Sequence, residues 1–147
     1  MVDQKDIRIL KELKNNSRLS ARGISEKTRI PITTVFNRIK RMEKSGVIRG
    51  YTAVLDEDKL GKHIAAYIMI TVDYNFLKRT KVSQHELAMK LKQHEFVDEA
   101  AIITGIGDII LKIRATDLSE LNKLVTENLR NIDGVEKTQT SVILDSC

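Results

Sequence analysis

Five side chains that hydrogen-bond nucleic acid well crowd into one short stretch: Thr33, Thr34, Asn37, Arg38 and Arg41. Threonine and asparagine reach base edges, and arginine reaches phosphate oxygens from many directions. The stretch around them runs from Ile32 to Ser45, where Val35, Ile39 and Met42 recur at helical spacing. That spacing predicts an amphipathic helix with one apolar stripe turned inward and the five polar side chains largely turned away from it. Gly46 follows at once, where a helix end favours a residue that tolerates left-handed backbone. Between Arg29 and Arg49 there are six basic residues and one acidic residue, Glu43. The pattern points to a helix that enters a DNA major groove. A solvated basic face would share the composition, so the neighbouring elements must decide.

Those neighbours are short helices. Asp3 is placed to cap a first helix reaching about Asn15, with Ile7, Leu10 and Leu13 as its buried stripe and Ile9 beside it. Asn15-Asn16-Ser17 reads as a turn. Ser20 caps a second helix, Ala21 to about Thr28, with Ile24 inside it. A three-residue connection then leads to Ile32. Three short helices with a tight joint between the second and third form a helix-turn-helix. In that arrangement Ser20, Ala21 and Arg22 begin a helix whose N-terminal amides can receive a phosphate, although Ser20 serves equally as a plain cap. Thr33 and Thr34 could likewise simply start their helix. Arg38 has phosphate as one partner and Glu43 or an acid of the first helix as the other. The stretch Val47–Leu55 is rich in strand formers and is expected to be extended.

Residues 56–62 are charged and turn-like, and the domain boundary is placed there. Ile64 to Val72 reads as a strand that is apolar on both faces, which calls for cover on both. Ser83 and Glu86 form a capping box for a helix to about His94. Phe96 to Thr104 and Ile109 to Ala115 read as strands around the turn Gly105-Ile106-Gly107-Asp108. Asp117 and Glu120 open another helix, with Leu118, Leu121, Val125 and Leu129 inward, which stops at Asp133-Gly134. Val135 to Leu144 is the last strand. The expected class is therefore α+β: an N-terminal helix-turn-helix domain over residues 1–55, a linker over 56–62, and a C-terminal ferredoxin-like βαββαβ domain over 63–147. Helices cover one face of such a sheet, and a second copy of the chain is the economical cover for the other.

Charge follows the same division. Residues 1–62 carry 15 Lys and Arg against 8 Asp and Glu, a net of +7. Residues 63–147 carry 10 against 12, a net of −2, within an overall +5. A basic half joined to a near-neutral half suggests one module for a polyanion and one for something else. The basic half lacks the long helix with Trp or Phe anchors that an anionic membrane would favour. No apolar run is long enough to span a bilayer and no signal-peptide pattern opens the chain, so a cytoplasmic place is expected, with no membrane partner. The single cysteine, Cys147, allows no intramolecular disulfide; it is a terminal thiol that could join two chains on oxidation. His63, His85 and His94 have no metal-ligand spacing, so no metal site is expected. No constellation suggests acid–base or nucleophilic chemistry, so no enzyme and no cofactor are expected.

The chain resembles the Lrp/AsnC (feast/famine) family of bacterial and archaeal transcription regulators over nearly its whole length. The resemblance rests on Asp6-Ile7 with Ile9-Leu10, and on Leu19-Ser20-Ala21-Arg22. It continues through Val35 with Arg38-Ile39-Lys40-Arg41-Met42-Glu43, then Gly46-Val47-Ile48-Arg49-Gly50-Tyr51-Thr52-Ala53. In the second half it rests on Thr104-Gly105 with Asp108, and on Gly134-Val135 with Thr138 and Thr140. It implies a homo-oligomeric regulator of double-stranded DNA, dimeric or larger, with the transcription machinery as a further partner. It also implies an amino acid or similar small effector bound between subunits, near Gly105, Gly107 and Asp108 and near polar residues of the last strand, here Thr138 and Thr140. Asp108 would either hold an effector's ammonium group or close the turn by accepting backbone N–H groups. Tyr51 would pack against a partner subunit's arm. Sirohaem decarboxylase subunits resemble the same two-domain plan, but their His-Cys-Tyr run is missing here.

Two positions depart from the family pattern. A Leu-Gly pair usually ends the second helix, where this chain has Thr28-Arg29; left-handed backbone at Arg29 would cost about 1 kcal/mol. A serine usually caps the third helix, where this chain has Pro31, a residue without a side-chain acceptor.

Overall fold

The computed structural model describes residues 1–145; Cys147 and its thiol lie outside the described residues. Contacts divide the chain into two units, residues 1–55 and the remainder from Asp56.

The first unit is three helices: α1 (Gln4–Asn15), α2 (Ala21–Thr28) and α3 (Ile32–Lys44). Asp3 caps α1 in a capping box with Asp6, and Ser20 caps α2 by accepting the Gly23 N–H. The core gathers Ile9, Leu13, Ile24, Ile30, Val35 and Met42, with Leu10, Leu19 and Ile39 partly buried against it. The buried stripe of α1 differs from the expected one. Ile7 faces solvent, and Asp6 is buried with Ile9 and Leu13. An acid occupies the inward position because two arginines of α3 meet it there. Arg29 does adopt left-handed backbone, with φ 55°, and its N–H still donates to the Ser25 carbonyl at 2.8 Å. Pro31 occupies the cap of α3 and offers no side-chain bond.

The stretch Val47–Leu55, expected as extended, forms no strand. Among the described residues the sheet has four strands and none comes from this segment. Val54 and Leu55 are left exposed. Strand formers without a hydrogen-bonding neighbour cannot make a ladder.

The second unit contains β1 (Ile64–Val72), α4 (Tyr74–Thr80), α5 (Gln84–Lys92), β2 (Val97–Ile102), β3 (Ile109–Ala115), α6 (Leu118–Lys123) and β4 (Val135–Val142). The short α4, capped by Asp73, is absent from the sequence reading. Beyond α6 the helix widens into a π turn over Leu124–Asn128 and tightens into a 3-10 turn over Leu129–Asn131. Leu121, Val125 and Leu129 face the core as expected, whereas Leu118 is exposed. The inward stripe recurs every four residues, and Leu118 falls outside it. The strands lie in the order β2-β3-β1-β4, all neighbours antiparallel. This is the ferredoxin-like arrangement.

Ala66, Ile68, Ile70 and Val72 of β1 are buried, together with Ile109, Leu111, Ile113 and Ala115 of β3, under Leu87, Leu91, Leu121 and Leu129 of the helical layer. The opposite face carries Ala65, Met69 and Ile110, all half-buried, and the more exposed Tyr67. Gly134 enters β4 with φ 93°, and a Cβ there would lie 3.2 Å from Leu87 Cδ2 and 3.3 Å from Leu77 Cδ2. Gly134→Ala therefore forces both a disfavoured backbone and a tight contact. We expect it to lower stability in denaturant unfolding by about 2 kcal/mol; an unchanged midpoint would contradict this packing.

Candidate nucleic-acid interface and effector turn

The α3 helix is held to α1 by charge as well as by apolar contact. Arg38 Nη1 donates to both oxygens of Asp3, at 2.7 Å each, and to Asp6 Oδ1 at 2.8 Å. Arg41 Nη2 donates to Asp6 Oδ2 at 2.6 Å. The Asp3 N–H also donates to Asp6 Oδ2, at 3.0 Å. The Asp6 side chain has no exposed surface and that of Arg38 only 19%, while Arg41 keeps 55%. Burial pushes the Asp6 carboxyl up, but the Asp3 amide and the two arginines outweigh it and the net direction is down. Asp3 is drawn down to about 2, first by the Arg38 hydrogen bond and then by the Asp6 amide. A second tie runs from the Arg8 guanidinium to the Thr28 carbonyl at the end of α2. A third runs from Lys27 Nζ to Glu12, at 3.3 Å.

With the inner edge of α3 fixed, its outer face is defined. Thr33 and Asn37 are exposed, and Thr34 is half-buried. Of the two arginines singled out for phosphate, Arg38 is committed to the acids of α1, the alternative left open by the sequence, while Arg41 remains half free. Ser20 acts as the α2 cap, Ala21 is half-buried, and Arg22 is exposed with its Nε 3.2 Å from Glu26. Lys40 and Lys44 add exposed cations to α3. Tyr51 donates its hydroxyl to Glu43 Oε1 at 2.7 Å, tying the following segment back to α3. Its phenol is pushed up to about 12, by partial burial first and by Glu43 second.

The effector candidates lie in the second unit. Gly105 has φ 123°, and a Cβ on Gly107 would sit 3.4 Å from both the Ile70 carbonyl and Met69 Cβ. Asp108 is the knot of this turn. Its carboxylate accepts the Val72 N–H at 2.8 Å and the Tyr74 hydroxyl at 2.9 Å. Its carbonyl accepts the Gln84 side chain at 2.9 Å and the Ile103 N–H at 2.9 Å. The Tyr74 phenol is raised by the Asp108 hydrogen bond first and by burial second. Of the two roles open to Asp108, closing the turn is the one these bonds support. Thr138 accepts from Arg130 Nε at 2.9 Å. It pairs with Ile70, whose other neighbour is Ile109, so strand spacing puts Thr138 about 10 Å from the end of the turn. Thr140 pairs with Ile68 and is exposed.

The sequence offers an acid of the first helix as a partner for Arg38 without singling out Asp6, and it does not point to Arg8, Tyr74 or Gln84. Asp6 carried a signal, since an acid falls on the inward side of an apolar stripe. Gln84 and Tyr74 carried none. Among the described residues no cluster of His, Cys, Asp and Glu could hold a metal, and no helix is long and apolar enough to cross a membrane.

A family model described as winged helix-turn-helix DNA-binding matches residues 2–49. A second, the Lrp/AsnC ligand binding domain, matches residues 65–147. Together with the fold, they define a DNA-binding transcription regulator with a ligand-binding second domain. An HTH-type transcriptional regulator of Pyrococcus furiosus is 37% identical over 142 residues, covering 97% of this chain and 92% of that one. The leucine-responsive regulatory protein of Haemophilus influenzae is 31% identical over 144 residues, 98% and 84%. A solved transcriptional regulator of Neisseria meningitidis, in complex with L-methionine, superposes with a TM-score of 0.88 at 26% identity, over 99% of this chain and 91% of that one. The chain belongs to the Lrp/AsnC family.

The charge tie between α1 and α3 sets two expectations. Asp6→Ala strands cations in a half-buried site and should cost about 3 kcal/mol in chemical unfolding. Asp3 and Asp6 titrate lower folded than unfolded, so they add stability above the ordinary 3.8 and lose it as pH falls toward 2. Acid unfolding of the wild type should therefore steepen between pH 4 and 2 and flatten in Asp3→Asn. Equal slopes would contradict the network.

Proposed function

We propose that the protein is a cytoplasmic homo-oligomer that reads a pseudo-palindromic DNA site through α3 and changes its occupancy when an amino acid binds. The observation that carries this reading is the fixed outer face of α3, where Thr33 and Asn37 stand exposed among Lys40, Arg41 and Lys44. Thr33, Thr34 and Asn37 would meet base edges. Arg41, Arg22 and the α2 N-terminus at Ser20 and Ala21 would meet phosphate, which supplies most of the affinity. Arg38 would act mainly by holding α3 in place.

Assembly follows from the open sheet face. Tyr67, Met69 and Ile110 belong against a second copy, whose identical face is complementary by symmetry. In such a dimer two α3 helices would enter successive major grooves about one turn apart. The L-methionine of the Neisseria meningitidis relative makes an amino acid the effector of choice. Here Gly105 and Gly107 would allow its close approach, Asp108 would hold the turn in shape, and Thr138 and Thr140 would offer hydroxyls from β4. An effector preferring one assembly state would shift DNA occupancy by its differential affinity. Contact with the transcription machinery would follow from occupancy of a promoter.

Selection from a random DNA pool, at roughly physiological salt and with and without amino acids including L-methionine, tests the reading. The expected product is a motif with two half-sites about one helical turn apart. Affinity for it should fall steeply with salt, and Arg41→Ala should reduce that slope by about 1. A pool with no enriched motif under either condition would contradict site-specific reading.

A further inference from the structure

The one aromatic side chain on α3, Phe36, is not used by the core. The helix buries Val35 and Met42 and half-buries Ile39, while Phe36 stands 49% exposed, with Ile32 one turn before it at 47%. Lys40 Nζ lies 4.5 Å from the centroid of the ring. Ile32, Phe36 and Lys40 are spaced four apart, so they line up along the helix beside Thr33 and Asn37, also four apart. Ile32 and Phe36 together form a small apolar strip on the exposed side of α3, next to side chains that seek base edges. Its surroundings choose the occupant. Phe36 has Lys40 over its ring, Lys44 follows one turn beyond Lys40, and the one acid of α3, Glu43, is engaged by Tyr51. A polyanion fits that charge.

We propose that Phe36 is a specificity-determining residue that packs against the C5-methyl of a thymine in the major groove, a reading that rests on α3 docking as described above. Thymine alone among the four bases presents an apolar group there. Lys40 covers one face of the ring, which fixes its plane and leaves the other face and the edge for the methyl. The same cation sits where backbone phosphates flank the groove. Ile32, one turn earlier, extends the apolar surface toward the neighbouring base pair. Threonine and asparagine then read hydrogen-bonding edges while Phe36 reads a methyl, so the protein would discriminate thymine from cytosine at a position where no hydrogen bond is made.

Deoxyuridine keeps every hydrogen-bonding group of thymine and removes only the methyl. Fluorescence anisotropy would follow binding of wild type and Phe36→Ala to the duplex enriched from the random pool, with each thymine replaced in turn by deoxyuridine. The expected result is one thymine per half-site at which the wild type weakens about fourfold, as for loss of one buried methyl. Phe36→Ala should bind more weakly and be indifferent to that replacement, with an unchanged thermal midpoint because the ring is outside the core. A wild type that binds the duplex but ignores every methyl overturns the inference alone. Equal losses in wild type and variant overturn it too. A variant with unchanged DNA affinity but altered assembly mass assigns the ring to a protein contact and also overturns it. A wild type that binds no DNA removes the docking reading and this inference together.

Discussion

A carboxylate without exposed surface stays charged only if donors reach both of its oxygens. Asp6 meets that condition through Arg38 on one oxygen and Arg41 with the Asp3 amide on the other. The desolvation is large, and pairing of this kind rarely yields much net stability. What it yields is geometry. Apolar contacts among Ile9, Val35 and Met42 would tolerate some sliding of α3 along α1, whereas the donors on Asp6 fix rotation and height together. The outer face of α3 is therefore set from the inside, before any DNA arrives.

The second unit uses a neutral analogue of the same device. Asp108 spans the start of β3, the end of β1 and the start of α4 and α5 through Val72, Tyr74 and Gln84. Gly107 lets the turn lie against β1 where a side chain would push it away. These bonds hold the turn from three sides. The strand they stabilise is itself apolar on both faces, which joins the shape of the turn to the surface where a second copy would sit.

Much of this was legible in the sequence because it rests on local signals. Caps at Asp3, Ser20, Ser83 and Asp117 mark four helix starts, the continuous apolar run marks β1, and the turn over residues 105–108 marks the start of β3. The failures have physical reasons. Val47–Leu55 has strand composition, but a strand exists only with a partner, which composition does not reveal. Ile7 has the type and spacing of a core residue, but the inward position belongs to Asp6, whose place is explained by its meeting with α3. Leu118 is the first residue of its helix and lies outside the stripe of Leu121, Val125 and Leu129 that the core takes. Of the candidate site, the polar residues of α3 stand out by type and spacing, and Thr33 and Asn37 are exposed. Phe36 carries no signal in the sequence that separates it from a core residue, and its exposure is visible only in three dimensions.

The proposed reading of DNA rests on base discrimination by α3, on a face fixed by α1. Its most direct test is the ratio of affinities for the selected duplex and for a scrambled one, measured at one salt concentration for wild type and Asn37→Ala. The ratio should fall by about fivefold or more, as expected for loss of a base contact worth ~1–3 kcal/mol, while binding to scrambled DNA is unchanged. If both affinities fall together, or neither moves, Asn37 does not read bases and the outer face of α3 is not the reading surface.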